Sequence, residues 1–233
     1  RGDAGIGAGL AERGVPALLV PEAQGGIGLN PLDAAIVAES LGAHITPSPF
    51  LGTAVMAPTA LVASGGNHDD LLAEIAAGTH RVGIAFSEAI KRRNDARVEA
   101  RDSRLFGKSL FAFDADANSY LVADQNKHLY LVAAQDPGLT RTHLTTVDKT
   151  RRTVELNYDD VAAKCISTDV GVFERVLDIG RVAIAADTLG AAQNMLDQAV
   201  EYAKQREQFN RPIGSFQAVK HMCAEMAAQL APC

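Results

Sequence analysis

The chain has 233 residues, 47% of them hydrophobic and 21% charged, which suits one large globular domain or two to three small ones. A net charge of −6 without any basic block argues against nucleic acid and anionic membrane surfaces as partners. No apolar run approaches the roughly 20 residues needed to span a bilayer, and Cys165, Cys223 and Cys233 are widely spaced without a CxxC pair, which points to a reducing compartment rather than to a disulfide frame or a zinc site.

Residues 1–82 read as mostly helical. Asn30 and Pro31 form a helix-start signal, and Leu32, Ile36, Val37, Ser40 and Leu41 follow at helical spacing until Gly42 ends the run. Residues 53–63 and 69–77 are rich in Ala and Leu and predict two further short helices. Near residue 82 the pattern changes to short strand-like runs at 82–86, 96–100, 103–107, 119–122, 129–133 and 153–158. Turn residues such as Asp102, Ser103, Asn126, Pro137 and Gly138 separate them, which predicts an antiparallel sandwich or barrel. After about residue 170, Val172, Val176, Ile179, Ala183, Ala186, Leu189, Leu196 and Ala199 trace a long helix running to about Gln208. A sharp break at Pro212 and Gly214 precedes a second helix, where Phe216, Val219, Cys223, Met226 and Leu230 form an a/d seam. Such a seam needs neighbours, from further helices or from a second subunit. The expected class is therefore α+β: a helical domain over 1–82, a β domain over 83–166 and the first part of a helical bundle over 167–233. Opening at Arg1 and stopping soon after Pro212, the sequence reads as a piece of a larger protein.

Several common site motifs are absent. Gly5, Gly7 and Gly9, like Gly25, Gly26 and Gly28, have the wrong spacing for a dinucleotide-binding turn, and no GxxxxGK[ST], HExxH or GxSxG occurs. The six histidines are scattered, with none paired at metal spacing. What remains is a polar, cationic and aromatic cluster at the break: Arg206, Phe209, Arg211 and Gln217. It is either a surface break whose arginines pair with acids such as Glu207, or a site for an anion carrying a planar group, with Arg206 and Arg211 on the anion and Phe209 as stacking face.

The stretch 202–221 resembles the helix-turn-helix signature of the acyl-CoA dehydrogenase family, and the resemblance covers the whole chain. Residues 15–29, 72–78, 85–88, 148–152, 158–161 and 189–193 are each similar to a family segment. The resemblance implies FAD as cofactor, with Arg206 as a pyrophosphate contact, Phe209 as a packing contact and Gln217 as a polar contact to the FAD of a neighbouring subunit. Asn210 stands where the family usually has Gly. Phe86 and Ser87 would lie at the flavin-contacting strand end. On the second flavin strand, Leu110 and Ala112 replace the usual aromatic residue and hydroxyl, and a one-residue shift would bring Phe111 onto the ring. Asp178 matches an acid lining the CoA tunnel and Arg181 an arginine near the acyl pocket. The reaction so implied removes an α-proton from an acyl thioester with a Glu base while the β-hydride passes to flavin N5. Most members place that Glu in the C-terminal domain, past Cys233; in a minority it occupies the position that Gly180 holds here. No base is visible in the chain.

Three readings follow. The first is an FAD-dependent acyl-CoA dehydrogenase working on an acyl-CoA substrate with a flavoprotein electron acceptor, its base outside this chain. The second is a base-less partner subunit that completes a neighbour's FAD site, and the third an assembly subunit without FAD. Related flavin folds that oxidise nitroalkanes or hydroxylate aromatics share the architecture. A homo- or hetero-oligomer, dimer or tetramer, is expected, in the bacterial cytoplasm or, for a eukaryotic source, the mitochondrial matrix.

Overall fold

The computed structural model describes residues 9–91, 93, 95–148 and 150–233, so Gly5 and Gly7 lie outside the described residues. The chain forms two compact units. One extends to Ala34 and resumes over Pro47–Arg181; the other combines Ala35–Thr46 with Val182–Cys233. This grouping is by contact and does not follow the succession of helical, β and helical content along the chain.

In the first unit a buried π-helix, Phe50–Met56, leads into two short α-helices, Ala57–Ala63 (α2) and Asp69–Ala76 (α3); helix α1 is Pro31–Ala43. Thr53 ties the π-helix to the sheet, its Oγ1 accepting the Val82 N–H at 3.0 Å. The strands are β1 (Val82–Ala85), β2 (Val98–Arg101), β3 (Arg104–Phe113), β4 (Ser119–Ala123), β5 (Leu129–Ala133), β6 (Leu139–His143) and β7 (Thr153–Ser167). They form a seven-stranded sheet in the order β2-β3-β1-β4-β5-β7-β6, and the extra β3–β7 pairing closes it into a barrel. The expected barrel is thus present. One pairing departs from the antiparallel expectation: β1 and β4 run parallel. Both are buried along their whole length, as the strands of a parallel pair usually are. Leu121 of β4 joins Val20, Ile75, Val82, Ile84 and Phe173 in one core, while Tyr120 and Val122 point to the other side, into a core with Leu105, Leu156 and Val161. The period of two sorts alternate residues of β4 into these two cores. Strand β6 was not foreseen, because only Leu139 of its five residues is buried and the polar run Thr140 to His143 carries no apolar alternation.

The second unit contains α1 from Ala35 and, from Val182, the 36-residue helix α5, Val170–Gln205. The two helices meet through glycines. A Cβ at Gly42 would overlap the Asp187 carbonyl, and one at Gly190 would overlap the Glu39 carbonyl oxygen. The Asn194 amide donates to the Ala43 carbonyl at the same crossing. The foreseen break differs in form. Helix α5 ends at Gln205, and a two-stranded hairpin follows, β8 (Glu207–Gln208) and β9 (Arg211–Pro212), then helix α6, Gln217–Leu230. Phe209 and Asn210 make the turn at φ 55° and 60°, the signature of a type I′ hairpin, in which Asn is well tolerated. No residue of α6 is buried, so its apolar seam stays largely uncovered among the described residues. No described helix is long and apolar enough to cross a membrane.

Candidate functional site

The end of β1 builds the first candidate surface. After Ala85 the chain turns into a single helical turn, Ser87–Ile90 (α4), whose N-cap is Phe86. The Phe86 ring is buried, 5.3 Å from Phe173 between centroids, so it belongs to the core and offers no face to a ligand. Ser87 is half-buried; its hydroxyl lies against the Leu110 carbonyl and 2.9 Å from Glu88 Oε2.

The facing strand supplies an aromatic group by an irregularity. Between Ser109 and Ala112 the β3–β7 register shifts by one residue, a bulge on β3. Phe111 sits in it at φ 56° and is 48% exposed. A bulky residue in the left-handed region is strained by about 1–3 kcal/mol and persists only where its surroundings hold it. Leu110 is half-buried and Ala112 buried, while the bulge leaves Phe111 between them exposed. The Arg93 guanidinium lies 5.7 Å from the ring centroid, within cation–π range.

Two residues of this surface were missed in the sequence. Glu88 is only 4% exposed, its Oε1 accepting the Leu110 N–H at 2.9 Å and lying 3.5 Å from Arg93 Nη1. A buried carboxylate must be paired. The only available signal, a Glu beside the strand-end Ser, reads equally as a helix-surface residue.

The second surface lies on the hairpin and the start of α6. Arg206, Phe209, Arg211 and Gln217 are all exposed, Phe209 by 86%. The Arg211 guanidinium stacks 4.0 Å over the Phe216 ring, and Phe209 meets the same ring edge-on at 6.1 Å. The hairpin is pinned by the Ile213 N–H donating to the Arg206 carbonyl at 2.7 Å. The Gln217 amide lies 3.5 Å from His221 Nε2. This arrangement presents cations and an aromatic face together, which suits an anion attached to a planar group.

Asp178 and Arg181 form an exposed i,i+3 ion pair at 2.8 Å on α5, the surface arrangement that contributes little by itself. Gly180 between them is buried against Met56: an added Cβ would lie 2.9 Å from Met56 Sδ and 3.1 Å from its Cε. A glutamate there would have to displace a core side chain. Among the described residues there is no cluster of metal-ligating side chains.

The family profile described as "Acyl-CoA dehydrogenase, C-terminal domain" matches residues 170–232. The acyl-CoA dehydrogenase IpdE2 of Mycobacterium tuberculosis is 33% identical over 224 residues, covering 94% of this chain and 58% of that protein. Among solved structures, the Tcur3481-Tcur3483 steroid ACAD G363A variant superimposes with a TM-score of 0.84 at 29% identity, over 95% of this chain and 63% of that one. The ChsE4-ChsE5 complex of Mycobacterium tuberculosis gives a TM-score of 0.84 at 25% identity, over 99% and 66%. The chain thus spans less than two thirds of the length of these relatives.

Proposed function

Given that the chain belongs to the acyl-CoA dehydrogenase family, we propose that it is a subunit of an FAD-dependent dehydrogenase that introduces an α,β double bond into an acyl-CoA thioester. The observation that carries this reading is Phe111: an exposed aromatic ring, held in a strained bulge beside Ser87, where the resemblance puts the flavin ring. Bound FAD would supply the hydride acceptor. This chain's residues fit it in kind. Phe111 offers a stacking face, and the Ser87 oxygen keeps acceptor capacity while its proton is engaged with Leu110. Arg206, Phe209 and Gln217 are exposed on one pinned element, open to the pyrophosphate and adenine end of a neighbouring subunit's FAD. The α-proton goes to a Glu base outside this chain, and electrons go on to a flavoprotein acceptor in a cytoplasmic oligomer.

A second reading, the base-less partner of a two-chain enzyme, is favoured by one specific observation. Gly180 holds the alternative base position and is packed against Met56, so no carboxylate fits there without repacking. Two structural relatives are by their names two-chain assemblies, which supports the same reading. The steroid description of one of them puts steroid-derived acyl-CoA thioesters first in a substrate panel.

The test is anaerobic mixing of the full-length protein, alone, with a panel of acyl-CoAs while flavin absorbance is followed. Bleaching establishes a dehydrogenase with its own base. Bound flavin that no acyl-CoA bleaches, but that bleaches once a base-bearing partner is added, establishes the partner subunit. Absence of bound flavin overturns the proposal that this chain holds FAD.

A further inference from the structure

We propose that Glu88 is the positioning residue of the flavin surface, a single buried carboxylate that holds Ser87, the Leu110–Phe111 bulge and Arg93 in one arrangement. The inference rests on the reading of Phe111 as a flavin platform. Bulged residues have lost their ladder partners, so the N–H and C=O of Leu110 must be satisfied elsewhere. Both are satisfied from the end of β1: the N–H donates to Glu88 Oε1 at 2.9 Å, and the carbonyl accepts from the Ser87 hydroxyl. The same carboxylate lies 2.9 Å from Ser87 Oγ through Oε2 and 3.5 Å from Arg93 Nη1 through Oε1. Arg93 in turn lies 5.7 Å from the centroid of the Phe111 ring. The side-chain supports of Leu110 and the cation beside the Phe111 ring therefore converge on one side chain, which is 4% exposed.

The charge and the shape of Glu88 do separable things. A glutamine can accept the Leu110 N–H with its oxygen and donate to Ser87 Oγ with its nitrogen, which leaves the Ser87 proton for the Leu110 carbonyl. It cannot balance Arg93. Glu88→Gln thus keeps the bulge and releases the cation beside the ring, whereas Glu88→Ala removes both supports.

The experiment uses the full-length protein, purified with any subunit it assembles with. FAD affinity is read by fluorescence titration, the bound flavin by visible circular dichroism, and the flavin-free fold by thermal melting. Glu88→Ala should weaken FAD binding about 10-fold, one interaction's worth, and this loss should shrink in a Phe111→Ala background because both changes disturb one platform. Glu88→Gln should melt like the wild type, weaken FAD about threefold and change the dichroism of the bound flavin. Unaltered affinity and dichroism in Glu88→Gln, or losses from Glu88→Ala and Phe111→Ala that multiply independently, overturn the role of Glu88 alone. A wild-type protein that binds no FAD overturns the functional reading, and this one with it.

Discussion

Replacing Gly190 by alanine tests the packing of the second unit, because two local rules disagree about its sign. In a helix interior, alanine is better than glycine by about 0.8–1.0 kcal/mol, so the sequence alone predicts stabilisation. At the crossing of α1 and α5, however, the new Cβ would overlap the Glu39 carbonyl oxygen and lie 2.8 Å from its carbon and 2.9 Å from the Ala43 nitrogen. All three are backbone atoms, so no rotamer change relieves the clash. The helices must separate, at about 1–3 kcal/mol for an overpacked contact. Separation also stretches the hydrogen bond from the Asn194 amide to the Ala43 carbonyl, a further loss of about 0.5–1.5 kcal/mol. The net expectation for Gly190→Ala is a loss of about 1–3 kcal/mol, read from urea unfolding of the purified protein. Gly171 is the control: it is exposed near the start of α5, and its nearest obstacle is a side-chain atom, the Asp169 carboxylate oxygen at 3.1 Å, rather than backbone. Gly171→Ala should be neutral or slightly stabilising. A Gly190→Ala protein as stable as the wild type would refute the close backbone approach.

Three other substitutions probe the exposed hairpin and a half-buried carboxyl group. Phe209→Gly removes a side chain that is 86% exposed from a backbone at φ 55°, so the hairpin should be as stable or firmer while FAD binding falls. Arg206→Ala should likewise leave the melting temperature unchanged and weaken FAD, and unchanged FAD affinity in both variants would remove the hairpin from the site. Burial raises the carboxyl of Asp114 above the usual carboxylate range, against smaller opposing effects of the Asp116 N–H and of Arg81 and Arg152. The folded state therefore holds its proton more tightly than the unfolded chain. Its contribution is fully present in acid and is lost as pH rises through the ordinary carboxylate value and up to the raised one. Asp114→Asn should melt higher than the wild type at neutral pH, with the gap closing in acid; a lower melting temperature at neutral pH would mean that the ionised carboxylate is well paired.

The legibility of this protein varied with the kind of pattern involved. The spacing of apolar residues located α1, α5 and α6 to within a few residues, because each has its period within the segment itself, and richness in Ala and Leu located α3. The β1 and β4 runs were legible for a different reason. Strands buried on both faces are continuous in apolar residues. Strand β6 was hidden, since four of its five residues face water and only pairing with β7 makes it a strand. The tight turn at Phe209 and Asn210 was visible as a break but not as a hairpin, because a bulky Phe is an unusual occupant of the left-handed region.

The candidate site divides in the same way. Arg206, Phe209 and Gln217 lie within twelve residues of one another along the chain, so their chemistry could be read from a contiguous stretch, and the family resemblance followed from it. Glu88 and Arg93 could not be found that way. Their partners are on β3, some twenty residues on, and a glutamate becomes a buried, pairing carboxylate only when a strand closes over it. The sequence by itself determined the elements with local periodicity, the α+β order and the cationic-aromatic cluster at the break between the two C-terminal helices. The tertiary structure decided which strand of the barrel runs parallel, which way Phe111 faces and whether Gly180 and Gly190 tolerate a side chain. Each of these depends on backbone atoms far apart in the chain arriving within a few ångströms, and no local propensity encodes that distance.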